Sequence, residues 1–127
     1  MNVLSLLLVG CGAFLGGIAR YAVNILIAER WAPTLPLATF VVNITGSLAI
    51  GFLATIVGST STLAAELRLA LIIGFLGAYT TFSTWSFETL ALLESGSFAM
   101  AALNVFGSII AGIAAAAGGV ALARLLQ

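Results

Sequence analysis

The sequence predicts an all-α integral membrane protein with four transmembrane helices, on three observations. Of its 127 residues, 62% are hydrophobic and only 6% are charged, against about 45–50% and about 25% in a soluble domain. Four apolar stretches each reach the roughly 20 residues that a helix needs to cross a bilayer. These runs are continuous and do not alternate with period two, which disfavours a closed β-barrel. A soluble domain could not cover such a surface with solvated charge. Disorder needs the opposite composition, and no basic stripe is available to neutralise phosphates of a nucleic acid.

The first stretch covers residues 3–27 and is interrupted by Arg20. Met1-Asn2-Val3 carries no basic region and no clear small-residue cleavage site follows, so the run reads as a retained span. Trp31, between Glu29-Arg30 and Pro33, fits an interfacial anchor. The second stretch covers 37–57, and Gly58-Ser59-Thr60-Ser61-Thr62 makes a turn after it. The third covers 67–93, preceded by Glu66 and closed by Glu94-Ser95-Gly96-Ser97. The fourth covers 98–126. The connections are too short to hold a soluble domain, so residues 1–127 read as a single four-helix transmembrane domain.

The ionisable set is four Arg and four Glu with no Lys, Asp or His, giving zero formal charge. His-based catalytic triads and most metal-ligand clusters are thereby absent, and the chain is not expected to be an enzyme. Cys11 is the only cysteine. It precludes an intrachain disulfide and, inside an apolar run, reads as a packed, inert thiol. Arg68 and Arg124 fall on one side of the membrane, Arg20 and Arg30 toward the other. Two against two specifies no orientation. Either one orientation wins through weak effects, or copies insert both ways and pair about a two-fold axis in the membrane plane.

Gly12–Gly16, Ser47–Gly51 and Ser108–Gly112 are small-residue pairs at the spacing that lets helix backbones approach in lipid. They serve either packing within one chain or, as four thin helices favour, an oligomer interface. Polar groups inside a span are functional candidates, and they concentrate at Thr80-Thr81-Phe82-Ser83-Thr84-Trp85-Ser86-Phe87-Glu88. Glycines 74 and 77 ahead of this run allow the helix to unwind, exposing carbonyls and N–H groups that bind ions. The alternative is an intact helix whose hydroxyls bond back to the preceding turn. Asn43 can donate two hydrogen bonds to an anion or tie helices together. Phe82 and Trp85 share a helix face and offer positive ring edges to an anion, or simply pack. Thr81, Thr84 and Glu88 line another face. Arg20 pairs with a carboxylate or helix C-terminal carbonyls, or snorkels to the interface.

Three signatures together resemble the CrcB/Fluc fluoride channels. They are Gly16-Gly17-Ile18-Ala19-Arg20-Tyr21, then Asn43-Ile44-Thr45-Gly46-Ser47 with Gly51-Phe52, then Gly74-Phe75-Leu76-Gly77-Ala78-Tyr79-Thr80-Thr81-Phe82-Ser83-Thr84-Trp85-Ser86 with Glu88. The resemblance covers essentially the whole chain in order and spacing. It implies a third helix broken near its middle and an antiparallel, dual-topology homodimer in a bacterial inner membrane. It also implies two pores lined by both subunits and passive export of F⁻ from the cytoplasm. Asn43, Phe82, Trp85, Thr81, Ser83, Thr84, Glu88 and Ser108 are the implied fluoride-pore residues. The backbone carbonyls of Gly77 and Thr80 would hold a central structural Na⁺, and Arg20 matches a first-helix arginine of structural role. Trp85 departs from the usual Phe, and Gly112 and Ala116 interrupt the polar track of the fourth helix that Asn104 and Ser108 begin. A small dual-topology multidrug exporter is the alternative reading. It would normally need a carboxylate in the first span, where this chain has Arg20. A holin-like assembly would need neither Asn43 nor the hydroxyl run.

Overall fold

The computed structural model describes residues 2–30, 35–58 and 62–127. The anchor expected at Trp31, Pro33 and the centre of the 58–62 turn lie outside the described residues. Helix α1 spans Val3–Arg30, three residues beyond the apolar stretch. Pro36, which has no N–H to leave unsatisfied, sits at the N-cap of α2, Leu37–Val57, and Gly58 with φ 58° ends that helix. The last helix, α6, covers Phe98–Leu125. Among the described residues, four helical segments, including 65–94 taken as one, are long and apolar enough to cross a membrane. The chain is a multi-pass membrane protein.

The third span is composite. It begins earlier than the apolar pattern, with α3 at Thr62–Leu67. A π-helix follows at Arg68–Leu76, closed by the N–H of Gly77 donating to the carbonyls of Ile72 and Gly74. Then come a single turn, α4, at Gly77–Tyr79 and, after an interruption, α5 at Phe82–Glu94. The N–H of Ser97 donates to the Leu92 carbonyl and that of Gly96 to Leu93, at 2.9 and 3.0 Å. This Schellman closure needs a left-handed residue after the helix, and Gly96 supplies it at φ 75°.

Small residues decide the packing. The widened π-helix lies against α1. A Cβ on Gly12 would strike the Ala70 carbonyl, and one on Gly16 the Phe75 carbonyl. Likewise α2 and α6 pack together where Gly51 meets the Ala116 backbone and Gly119 meets that of Leu48. Among the described residues, the fully or nearly buried apolar side chains are few and mostly small: Val42, Leu76, Ala101 and Ala123. In lipid the contacts that matter are close van der Waals approaches, not burial of large apolar groups. Gly12, Gly16 and Gly51 of the small-residue pairs thus serve packing within one chain. Cys11 also differs from expectation. It is exposed, because α1 turns its Gly12–Gly16 side inward and the preceding residue points away.

Candidate functional site

The break in the third span lies at Thr80 and Thr81, just beyond the glycines expected to cause it. Thr80 is extended (φ −77°, ψ 157°), as is Thr81 (φ −147°, ψ 124°). Gly74 and Gly77 stay helical. Gly74 is used for close contact, since a Cβ there would press on the Val9 carbonyl and the Gly12 Cα.

The interruption is held from α2. The Asn43 side chain accepts from the Thr81 N–H at 2.9 Å through Oδ1 and donates to the Thr81 carbonyl at 3.0 Å through Nδ2. A continuous helix would have sent that N–H to the Gly77 carbonyl. Asn43 replaces the bond and leaves Gly77 without its usual donor. One turn along α2, Gly46 makes room for the Thr80 methyl, which a Cβ would strike. The Thr45 and Tyr79 hydroxyls are 2.9 Å apart. One turn before Asn43, buried Thr39 donates to Glu88 Oε1 at 2.8 Å. Thus α2 presents a polar face matched to both sides of the break.

Thr81 is the N-cap of α5, not a member of its first turn as the i, i+3, i+7 pattern implied. Its hydroxyl oxygen accepts from the Thr84 N–H at 3.3 Å, and its O–H donates to Thr84 Oγ1 at 3.0 Å. Such a cap satisfies an otherwise orphaned helix donor.

An open groove of about 430 Å³ runs over the break. Its lining brings together Asn43, Gly77, Thr80, Thr81, Phe82, Trp85 and Ser108 of the sequence-predicted residues. Phe82 is 77% exposed. Its ring lies 5.2 Å from that of Trp85, tilted by 35°. Ser83, Thr84 and Glu88 do not line the groove. Ser83 is exposed, with its Oγ 3.5 Å from Thr81 Oγ1. Glu88 Oε2 and Ser108 Oγ are both buried without a hydrogen-bond partner. Arg20 is half-buried, one turn past Gly16 on the face of α1 that packs toward 68–79.

Sequence reasoning missed Thr39 and Gly46. Both lie within one turn of Asn43, so its helical face carried the signal. Asn104, read from sequence only as part of the fourth-helix polar track, is buried. It donates to Thr89 Oγ1 at 2.9 Å, while its carbonyl accepts from Trp85 Nε1 at 3.3 Å. No local pattern links those positions.

Among the described residues no group of three His, Cys, Asp or Glu could hold a metal ion. Backbone oxygens are another class of donor at the break. The freed carbonyls at the end of α4 are of that kind, and oxygen donors suit a hard cation.

The family described as "CrcB-like protein, Camphor Resistance (CrcB)" matches residues 7–120. The chain belongs to this CrcB family. Among its relatives, a "Fluoride-specific ion channel FluC" of Stutzerimonas stutzeri is 46% identical over 117 residues, covering 92% of this chain and 94% of the relative. A protein of the same name from Chlorobaculum tepidum is 44% identical over 128 residues, covering 100% of each. Another, from a Roseiflexus species, is 40% identical and covers 99% of each. The CrcB relatives are ion channels by name, and the family stands apart from enzymes.

Proposed function

We propose that the chain is a fluoride channel that conducts F⁻ passively out of the cytoplasm of a bacterial cell, across the inner membrane. The observation that carries this reading is the groove over the broken span. It gathers an amide, two aromatic rings and the hydroxyl-bearing Ser108 and Thr81, and among the described residues no cationic side chain lines it. A small anion that sheds part of its water there gains N–H, O–H and positive ring edges. No fixed cation traps it, so entry is favourable and exit remains possible. Asn43, Phe82, Trp85, Thr81 and Ser108 are the pore residues on this reading. Ser83, Thr84 and Glu88 belong to the polar path beyond the groove.

The working unit is an antiparallel, dual-topology homodimer. The even arginine tally supports it, because neither orientation is preferred. The carbonyls of Gly77 and Thr80 would hold a structural Na⁺. One chain offers two such oxygens and a second copy two more, which makes a cation site shared between copies reasonable for a hard ion. Bound there, Na⁺ would supply a fixed positive charge near the groove. Arg20 has a structural role on the α1 face. A proton-coupled exporter is disfavoured by the first span, whose interior ionisable residue is Arg20 and not a carboxylate.

The test is fluoride efflux from liposomes containing the purified chain, followed with a fluoride-selective electrode. Release is expected, with no release of a cationic drug from the same vesicles. Retention of fluoride where a CrcB relative releases it would overturn the reading. Phe82→Ile is expected to abolish flux while leaving a folded dimer. Unchanged flux would reduce Phe82 to a packing residue.

A further inference from the structure

Six intramembrane hydroxyls share a habit that Ser108 does not follow. Thr45, Ser47, Thr55, Thr80, Ser86 and Thr89 each donate to the carbonyl four residues earlier, at 2.7–2.9 Å. A helical carbonyl has two lone pairs. One takes the helix N–H and the other takes the folded-back hydroxyl. For Ser108 the carbonyl four residues earlier belongs to Asn104, and its second lone pair accepts the Trp85 indole N–H at 3.3 Å. Ser108 Oγ is correspondingly left buried with no partner, on the lining of the groove that Trp85 shares.

We propose that Trp85 is a positioning residue: by filling the Asn104 carbonyl, its indole N–H keeps the Ser108 hydroxyl from folding back onto α6 and leaves it free to donate to an anion in the groove. This rests on the fluoride-channel reading. The Trp85 N–H is then engaged with α6 and does not itself coordinate the ion. The Asn104 side chain fixes the arrangement by donating to Thr89 Oγ1, whose own hydroxyl donates to the Trp85 carbonyl. Bonds thus run between α5 and α6 in both directions.

The decisive variant replaces Trp85 with benzothienylalanine, which keeps the bicyclic shape and lacks the N–H. Flux in liposomes is measured as a function of fluoride concentration for the wild type, this isostere, Ser108→Ala and the double variant. Ser108→Ala is expected to lower flux at low fluoride by about tenfold, the effect of one hydrogen bond to a charged group. The isostere should fall to the same level, and the double variant should fall no further. Wild-type flux in the isostere overturns the proposal. So does a further drop in the double variant, because packing alone would act independently of Ser108. Exchange of the Trp85 indole proton with solvent tests the bond without transport. Slow exchange is expected, in a background where Trp31 is Phe, and fast exchange overturns the proposal. A wild-type chain that releases no fluoride instead overturns the channel reading.

Discussion

The seam between α2 and α6 and the contact between α2 and the broken span lie on the same helix but are made differently. Toward α6, α2 offers Gly51 and the Leu48 backbone to Ala116 and Gly119, and backbones meet almost directly. Toward the break it offers Thr39, Asn43 and Gly46, and the contacts are hydrogen bonds to Glu88 and Thr81. The first contact is made by backbone and small side chains. The second stabilises an irregular backbone yet leaves Glu88 Oε2 without a partner and takes away the usual donor of the Gly77 carbonyl. Where a helix has only to pack, removing side chains suffices. Where it has to keep a neighbour unwound in oil, it supplies the hydrogen bonds that the neighbour gave up.

Substitutions can break either contact. The largest expected effect comes from the glycine mode, in its α1 version. Gly16→Val drives a side chain into the Phe75 carbonyl, which cannot rotate away, and should cost about 3 kcal/mol. Loss of monodisperse protein in detergent and a lowered Tm would register it. Gly17→Val, with nothing within 4 Å of its Cβ position, should be tolerated, and equal damage from both would show that close approach is not the cause. Next comes Asn43→Leu, which strands the Thr81 N–H and carbonyl and should destabilise by about 2–3 kcal/mol. Thermal unfolding measures that cost, and flux should vanish with it. If stability were unchanged, the break would not depend on α2. The smallest effect is Gly112→Ser. The nearest atom to its added Cβ is Ser47 Oγ at 3.6 Å, an ordinary contact, so stability should stay within about 0.5 kcal/mol. A large loss would mean that α6 has no room for a hydroxymethyl group against α2 at this position.

The spans were readable because apolar length is a strong local signal. Residues 37–57 match α2 fully, and the fourth stretch differs from α6 by one residue. The third helix starts before its apolar stretch: Glu66 opens a helix as its place ahead of the stretch suggests, but the helix reaches back to Thr62, which looks like loop by hydropathy. The break could be anticipated from the hydroxyl run, but its position could not. Gly74 resembles a helix breaker in sequence and is a packing residue in space. The π-helix left no trace in the residue pattern, and the glycines it packs against, Gly12 and Gly16, lie more than fifty positions away. Within the site, Asn43, Phe82 and Trp85 were identifiable as polar or aromatic groups at membrane depth. What each does was not, because the Asn43 amide meets Thr81 across 38 residues of chain and the Trp85 indole meets Asn104 across 19.

The hold of Asn43 on Thr81 also has a consequence for biogenesis. Chains are made from the N-terminus, so the helix bearing the amide emerges from the ribosome ahead of the segment it must keep unwound. The mould is formed before the cast arrives. A circular rearrangement of the gene that reversed this sequence of events would leave every native contact intact and still ask the later segment to enter the bilayer with its amides untended.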